Sequence, residues 1–493
     1  MELNNSSAYG LMGVLLMRSS ILCLAVLAAA FVWPLSAATA ATNHAKLPRI
    51  RLTADGRAFE TEHGTPFVPF GMTYFRPGTG WAPQVWKKFD AEAARRDFAR
   101  MKELGVNCVR VFLTYGSFLM EPNVVSPEGL AKLDQFLAIA EDAGIYVHPT
   151  GPDHWEGMPR WAQSDRYADE VVLRGVEFFW RQLAARYRGR ATIFAYDLLN
   201  EPEIRWDTPP MCEQWNRWLE KKYASAPKLA QAWGATNQDF AFGSIPVPPK
   251  DDCAGCARLL DFQRFREDVA DDWARRQVAA IKAADPHALV TVGLIQWSVP
   301  SLLAAGWQYS AFRPERQVRL LDFMEIHFYP LANGFYEYAP EDEARNLAYL
   351  ENVVSEVARC GKPVVIAEFG WYGGGKPTFG NHAFASEDQQ ARWCEQVVTS
   401  TAGLTCGWLN WGLYDHPGAG DVSQLIGLLT SDGKLKAWGG KFKELSASHG
   451  NRKLTPPKLG PRPTLDWDLC ITSAAEGAKF RQRYLEAWRA GRK

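Results

Sequence analysis

The chain has 493 residues, 47% of them hydrophobic, enough to bury one large core or two modest ones. Its 55 basic and 55 acidic residues cancel and the pI is near 7.1, so no overall basic field exists to draw in a nucleic acid. Many of its 20 Trp, 16 Tyr and 26 Phe fall outside apolar runs, which suits a carbohydrate partner, because the C–H face of a sugar packs on a flat ring.

Residues 1–41 read as a signal peptide. Met17 and Arg18 open a charged start, an apolar run follows from Ile21 to Trp33, and small residues surround Ala38-Thr39-Ala40. Met1 is followed by the acidic Glu2, so Met17 suits a leader better as its start. Cleavage near Thr39 to Thr42 is expected to give a secreted or periplasmic protein. The run is short for a membrane span and no later segment is long and apolar enough, so no membrane anchor is expected. With Cys23 in the leader, eight cysteines remain. Cys253-Ala-Gly-Cys256 has zinc-like spacing but no second Cys/His pair beside it, so a loop disulfide, with Cys212 as one candidate partner, is expected instead of a metal.

From residue 48 onward one pattern repeats: an amphipathic helix, a Gly or Pro break, then a short β-branched strand. Ala94, Phe98 and Met101 share a helical face, Gly105 suits a left-handed cap, and Cys108 to Tyr115 reads as a strand. Leu130, Leu133, Leu137 and Ala140 precede Gly144 and a strand from Ile145 to Pro149; Leu347, Leu350, Val354 and Val357 precede Gly361 and a strand from Val364 to Phe369. The other strands are expected at Phe67 to Tyr74, Ile193 to Leu199, Leu289 to Ile295, Phe323 to Phe328 and Gly407 to Leu413. Eight such strands, with no Gly-rich phosphate loop after the first, predict an α/β fold, a (β/α)8 TIM barrel over 48–450. A helical insertion follows strand four, roughly Arg205 to Gly255, carrying Trp215, Trp218, Tyr223 and Trp233; it either walls a cleft or only packs. Residues 451–493 read as a Pro-rich connector, Leu454 to Pro463, and a final helix around Ala474 to Arg489.

Polar residues gather at the predicted strand ends, the face on which this architecture builds active sites. Strand two ends near Arg110, strand three carries His148, and strand four ends in Asp197-Leu198-Leu199-Asn200-Glu201-Pro202. Strand six gives Glu325-Ile326-His327-Phe328-Tyr329-Pro330, strand seven Ala367-Glu368-Phe369-Gly370-Trp371, and strand eight Trp408-Leu409-Asn410-Trp411. Glu201 and Glu368 therefore face one another across the barrel. Hydrolysis of a glycosidic bond with retention needs such a pair, one carboxyl protonated and one ionised, about 5–5.5 Å apart.

In these motifs the chain resembles glycoside hydrolase clan A, most closely cellulase-type family 5, with some similarity to the family 42 β-galactosidases in the aromatic insertion. The resemblance covers nearly the whole barrel. It implies a retaining hydrolase of β-linked sugars in which Glu201, after Asn200, is the acid/base and Glu368 is the nucleophile. It also implies that Arg110, Asn200, His327, Tyr329 and Trp411 line the substrate site. Arg110 is expected to hold Glu368 ionised by lowering its pKa, and the Glu368 charge, with partial burial, to raise Glu201. Asn200 is expected to bond the sugar 2-hydroxyl, Tyr329 to steady the nucleophile, and Trp411 to floor the sugar. His148 departs from the family's spacing, and its role stays open. Glu203 lies past the proline, and Glu325, in phase with His327, reads as a buried structural carboxylate.

No metal or cofactor is expected, since a metal-dependent barrel hydrolase would want two histidines close together on strand one. A non-catalytic carbohydrate-binding barrel is the rival from another class, and the retention of both glutamates argues against it. Substrate remains between endo-attack on β-1,4-mannan or β-glucan, which is favoured, and exo-removal of galactose or mannose. A carbohydrate substrate and a monomeric state complete the expectations.

Overall fold

A computed structural model describes residues 47–79, 84–235, 238–248, 253–302, 308–330, 342–380 and 382–491. The leader assigned to 1–41 lies outside the described residues. The described chain begins with three short strands, β1 (Ile50–Leu52), β2 (Phe59–Thr61) and β3 (Pro66–Phe67), in an antiparallel sheet ordered β1-β2-β3. Eight further strands follow: β4 (Phe70–Thr73), β5 (Cys108–Thr114), β6 (Tyr146–Asp153), β7 (Tyr196–Asn200), β8 (Val290–Ile295), β9 (Met324–Phe328), β10 (Val364–Phe369) and β11 (Trp408–Asn410). They close a parallel barrel in the order β10-β11-β4-β5-β6-β7-β8-β9. The fold is a (β/α)8 barrel with flanking helices, as the repeated pattern predicts.

Nearly every strand residue of the barrel is buried, because helices cover one face and the other fills the interior. Gly71 allows the closest approach: a Cβ there would lie 1.6 Å from the Cys108 carbonyl oxygen, so only glycine lets β4 sit against β5. Local signals set the helix ends. Asp90 accepts the backbone N–H of Glu92 and Ala93 at 2.9 and 3.0 Å to start the helix Ala91–Glu103, and Gly144, left-handed at φ 73°, ends the helix Pro127–Ala143.

The predicted first strand merges two observed ones, because Val68 and Pro69 separate β3 from β4. β3 belongs to the small sheet that plugs the N-terminal end of the barrel. There Phe59 meets Phe194 and Phe323 edge-on, with both centroid distances 5.1 Å, in an apolar cluster with Ile50, Phe67 and Tyr146. Strands of two or three residues carry no readable alternation, so this plug is invisible to a periodicity argument.

The insertion holds helices Pro209–Tyr223 and Ala226–Ala232 before the 28-residue helix Ala257–Ala284. Its aromatic cluster packs upon itself: Trp215, fully buried, stacks on Trp218 and Trp233 at 5.7 and 6.3 Å. Trp206, Val247 and Pro248 instead line a cavity, so the segment does both things the sequence allowed. The tail forms a short helix, Trp467–Thr472, and the expected final one, Ala474–Ala490, which buries Phe480, Tyr484 and Trp488. The expected loop disulfide is corrected: no disulfide joins any of the eight described cysteines, and Cys253 and Cys256 form a turn at the start of the long helix.

Candidate active site

Charge inside the barrel is organised by Arg110, which is fully buried on β5. Its Nη1 donates to Glu368 Oε1 at 2.5 Å, its Nη2 to Asp197 Oδ2 at 2.7 Å and to Asn200 Oδ1 at 2.9 Å, and its Nε to Asp197 Oδ2 at 3.2 Å. One guanidinium thus ties β5 to β7 and β10. Asp197 is itself fixed, its Oδ1 accepting the N–H of Gly293 at 2.7 Å. A Cβ at Gly293 would stand 3.0 Å from Asp197 Oδ2 and from His327 Nε2, and 3.1 Å from Arg110 Nη2, so any side chain there would push on this network.

Glu368 closes β10, and only 4% of it is exposed. Its Oε2 accepts the Tyr329 hydroxyl at 3.0 Å, so each carboxylate oxygen has its own donor. Glu201 follows β7 in a left-handed conformation, φ 42°, which costs a non-glycine residue about 1–3 kcal/mol. Its N–H donates to the Gly293 carbonyl at 2.8 Å, which holds the turn. Glu201 Oε1 lies 2.9 Å from His327 Nδ1, and 31% of its side chain is open to solvent. His327 Nδ1 is also 3.7 Å from Glu368 Oε2, so this histidine bridges the two glutamates. Carboxylate oxygens of Glu201 and Glu368 and the His327 nitrogen all lie within 4.8 Å of one another. The two carboxyls the sequence places on opposite strand ends therefore meet.

Asn200 gives its Oδ1 to Arg110, which leaves the NH2 for a ligand. Tyr329 is held at its backbone by Gln296, whose side chain bonds both its N–H and its carbonyl, at 2.7 and 3.2 Å. Trp411 is 6% exposed, donates to Ser423 Oγ at 2.7 Å and packs against Phe75 and Phe112. Beneath the glutamates His148 and Glu325, both fully buried, pair at 2.6 Å, and His148 Nδ1 bonds the Ala195 carbonyl. Asp197, Gly293 and Gln296 were not singled out from the sequence. A charged residue inside the apolar strand Tyr196–Asn200 was the available signal for Asp197.

Among the described residues two trios have the spacing of metal ligands, Glu201-His327-Glu368 and His148-Asp197-Glu325. A protein cation already serves both: Arg110 contacts Glu368 and Asp197, and His148 contacts Glu325. A divalent ion would have to displace that guanidinium, so neither trio is assigned to a metal.

The sequence matches the profile of Cellulase (glycosyl hydrolase family 5) over residues 61–416, most of the barrel. The chain belongs to glycosyl hydrolase family 5. A β-xylosidase of Phanerodontia chrysosporium is 32% identical over 147 residues, 27% of this chain and 29% of that protein. A β-galactosidase of Thermus thermophilus is 26% identical over 321 residues, 59% of this chain and 45% of that one. The family 5 chain thus spans less than half the length of these curated relatives. Among solved structures, the exo-β-1,4-mannosidase Op5Man5 from Opitutaceae bacterium strain TAV5 shares the fold, with a TM-score of 0.58 at 18% identity over 81% of this chain and 62% of that one.

The electrostatics of this family 5 site depart in part from the expected pattern. Burial, helped by the nearness of Glu201, pushes Glu368 above the usual carboxylate range, and Arg110 and the Tyr329 hydroxyl pull it back without cancelling that effect. Arg110 is therefore the counterweight to burial, and the expected net lowering of Glu368 is corrected. Glu201 rises to about 7, through burial first, opposed by Arg110 and supported by the charges of Asp153 and Glu203; the expectation that the Glu368 charge raises it is corrected. Burial likewise lowers His327 and keeps it neutral, whereas Glu325 raises His148 against its own burial.

Glu201 has no cation in contact and Glu368 has one at 2.5 Å, so of the two it is Glu201 that holds a proton near neutrality. NMR of protein with 13C-labelled glutamate carboxyls is expected to show one signal titrating near pH 7 that disappears in Glu201→Gln. If every glutamate titrates below about 5, the usual range, this assignment is wrong.

Proposed function

We propose that this family 5 glycosyl hydrolase cleaves β-linked oligo- or polysaccharides with retention, Glu368 attacking the anomeric carbon and Glu201 serving as acid and then base. The observation that carries the reading is the approach of one oxygen of each carboxyl to within 4.8 Å of the other. That separation suits direct attack at about 5–5.5 Å, whereas an inverting pair stands about 6.5–9.5 Å apart to admit a water molecule. The names of the relatives above share a β-linkage, which supports the anomeric preference.

Each contact has a task in this chemistry. Arg110 and Tyr329 each hold one oxygen of Glu368, which aims the carboxylate and favours its ionised form against the effect of burial. Glu201 gives its proton to the departing oxygen. Left as a carboxylate by that transfer, Glu201 then takes the proton of the incoming water, which attacks the glycosyl ester and frees Glu368. Neutral His327, on Glu201 Oε1, orients that carboxyl between its two roles. The free NH2 of Asn200 can donate to the sugar 2-hydroxyl, a bond that strengthens as positive charge develops on the ring. The leader-like residues 21–33 support export, and a monomer is sufficient, since every group invoked comes from one chain.

Glu368→Gln is expected to lower turnover of aryl β-glycosides by about 10³-fold or more while thermal unfolding stays cooperative. Glu201→Ala should keep partial activity on dinitrophenyl glycosides and be accelerated by azide, which can occupy the space of the lost carboxyl; an unrescued variant would contradict the acid/base assignment. For substrate, β-1,4-mannan and β-glucan are expected to give oligosaccharides early in the reaction. Release of monosaccharide alone, from any of mannan, carboxymethyl-cellulose, xylan or aryl β-galactosides, would replace endo-attack with exo-attack.

A further inference from the structure

A cavity of about 800 Å³ opens between the ends of β6, β7 and β8 and the insertion, and Pro202 and Glu203, next in sequence to Glu201, form part of its wall. Trp297, half-buried just beyond β8, and Trp206 from the insertion also line it. On the reading proposed above, the proton of Glu201 goes to the departing oxygen, so the leaving group lies on the Glu201 side, away from Glu368. This cavity is on that side.

The charges on its wall pair off within the protein, with two exceptions. Asp165 accepts the N–H of Tyr167 and Ala168 at 2.8 and 2.9 Å and the Thr208 hydroxyl. Arg205 stands 3.7 Å from Asp207. Arg266 donates to Gln263 Oε1 at 2.9 Å and to the Tyr309 carbonyl and lies over the Trp206 ring at 4.4 Å. The exceptions are Glu203, which is exposed at the rim, and Arg166, which is half-buried in the wall. Among the described residues no group makes a hydrogen bond or ion pair with the Arg166 side chain, and its Nη1 is closed off from solvent as well. Asp153 and Glu203 act on it through their fields, yet neither comes within ion-pair distance. A guanidinium nitrogen closed off from solvent without a hydrogen-bond partner is costly and calls for an explanation.

We infer that the cavity is a leaving-group subsite in which Arg166 selects a sugar that carries a carboxylate. The planar fork of a guanidinium matches a carboxylate with two parallel hydrogen bonds, and a sugar ring carrying that carboxylate presents its C–H face to Trp297. Glu203 weakens this little, because water screens its exposed rim charge more than it screens the half-buried Arg166. Among β-glycosides, the site then prefers one whose reducing-side residue is a uronic acid over the neutral β-1,4-mannan and β-glucan, which leave Arg166 without a carboxylate.

Titration calorimetry with methyl β-D-glucuronide and methyl β-D-glucoside tests this without requiring turnover. The full chain should bind the glucuronide about tenfold tighter, the yield of a charge-assisted contact. The preference should shrink with added salt, disappear in Arg166→Gln and survive in part in Arg166→Lys. Equal binding of the two glycosides, no measurable binding of either, or a preference that persists in Arg166→Gln would overturn the inference. Aryl glycoside turnover separates the two claims: turnover without the glucuronide preference removes this subsite alone. The preference without turnover leaves the anion site and removes the hydrolytic reading.

Discussion

The site depends on one buried cation. Arg110 has no access to solvent and is bonded to Asp197, Asn200 and Glu368, on two other strands of the barrel. Taking a guanidinium and two carboxylates out of water costs several kcal/mol per ion, and mutual attraction offsets this only where geometry is good and the remaining donors and acceptors are filled. Here they are filled: Asp197 also takes the Gly293 N–H, and Glu368 also takes the Tyr329 hydroxyl. The network does little for stability that a packed apolar core would not do better. What it supplies is a carboxylate held at a fixed angle in a dry place.

That arrangement also divides the two glutamates. Both are raised by burial, so burial cannot distinguish them. Contact does: Glu368 is gripped at both oxygens by a cation and a hydroxyl, while Glu201 meets a neutral imidazole and the fields of Asp153 and Glu203. The strained backbone at Glu201, φ 42°, belongs to the same design, because it turns the side chain off the end of β7 toward His327.

Much of the barrel was legible in the sequence because its strands are covered on both faces and so appear as short apolar runs, such as Val364 to Phe369, found with the same limits. The polar strand ends were legible for the complementary reason: Glu201, Glu368 and Arg110 interrupt those runs where a core would not tolerate them. The plug strands escaped because two or three residues show no period, and Gly293 because its importance lies in the atoms around it. The direction of the Glu368 shift was misjudged for a related reason. A sequence shows that Arg110 is near, but the extent of burial that opposes it exists only after folding.

The central claim is that two carboxyls this close exchange the sugar through a covalent ester, so that the anomeric configuration is kept. Proton NMR of the first-formed sugar during cleavage of an aryl β-glycoside tests this directly, before mutarotation mixes the anomers. The β-anomer appearing first is the expected result; the α-anomer appearing first would mean that water attacks the sugar and that Glu368 is not the nucleophile.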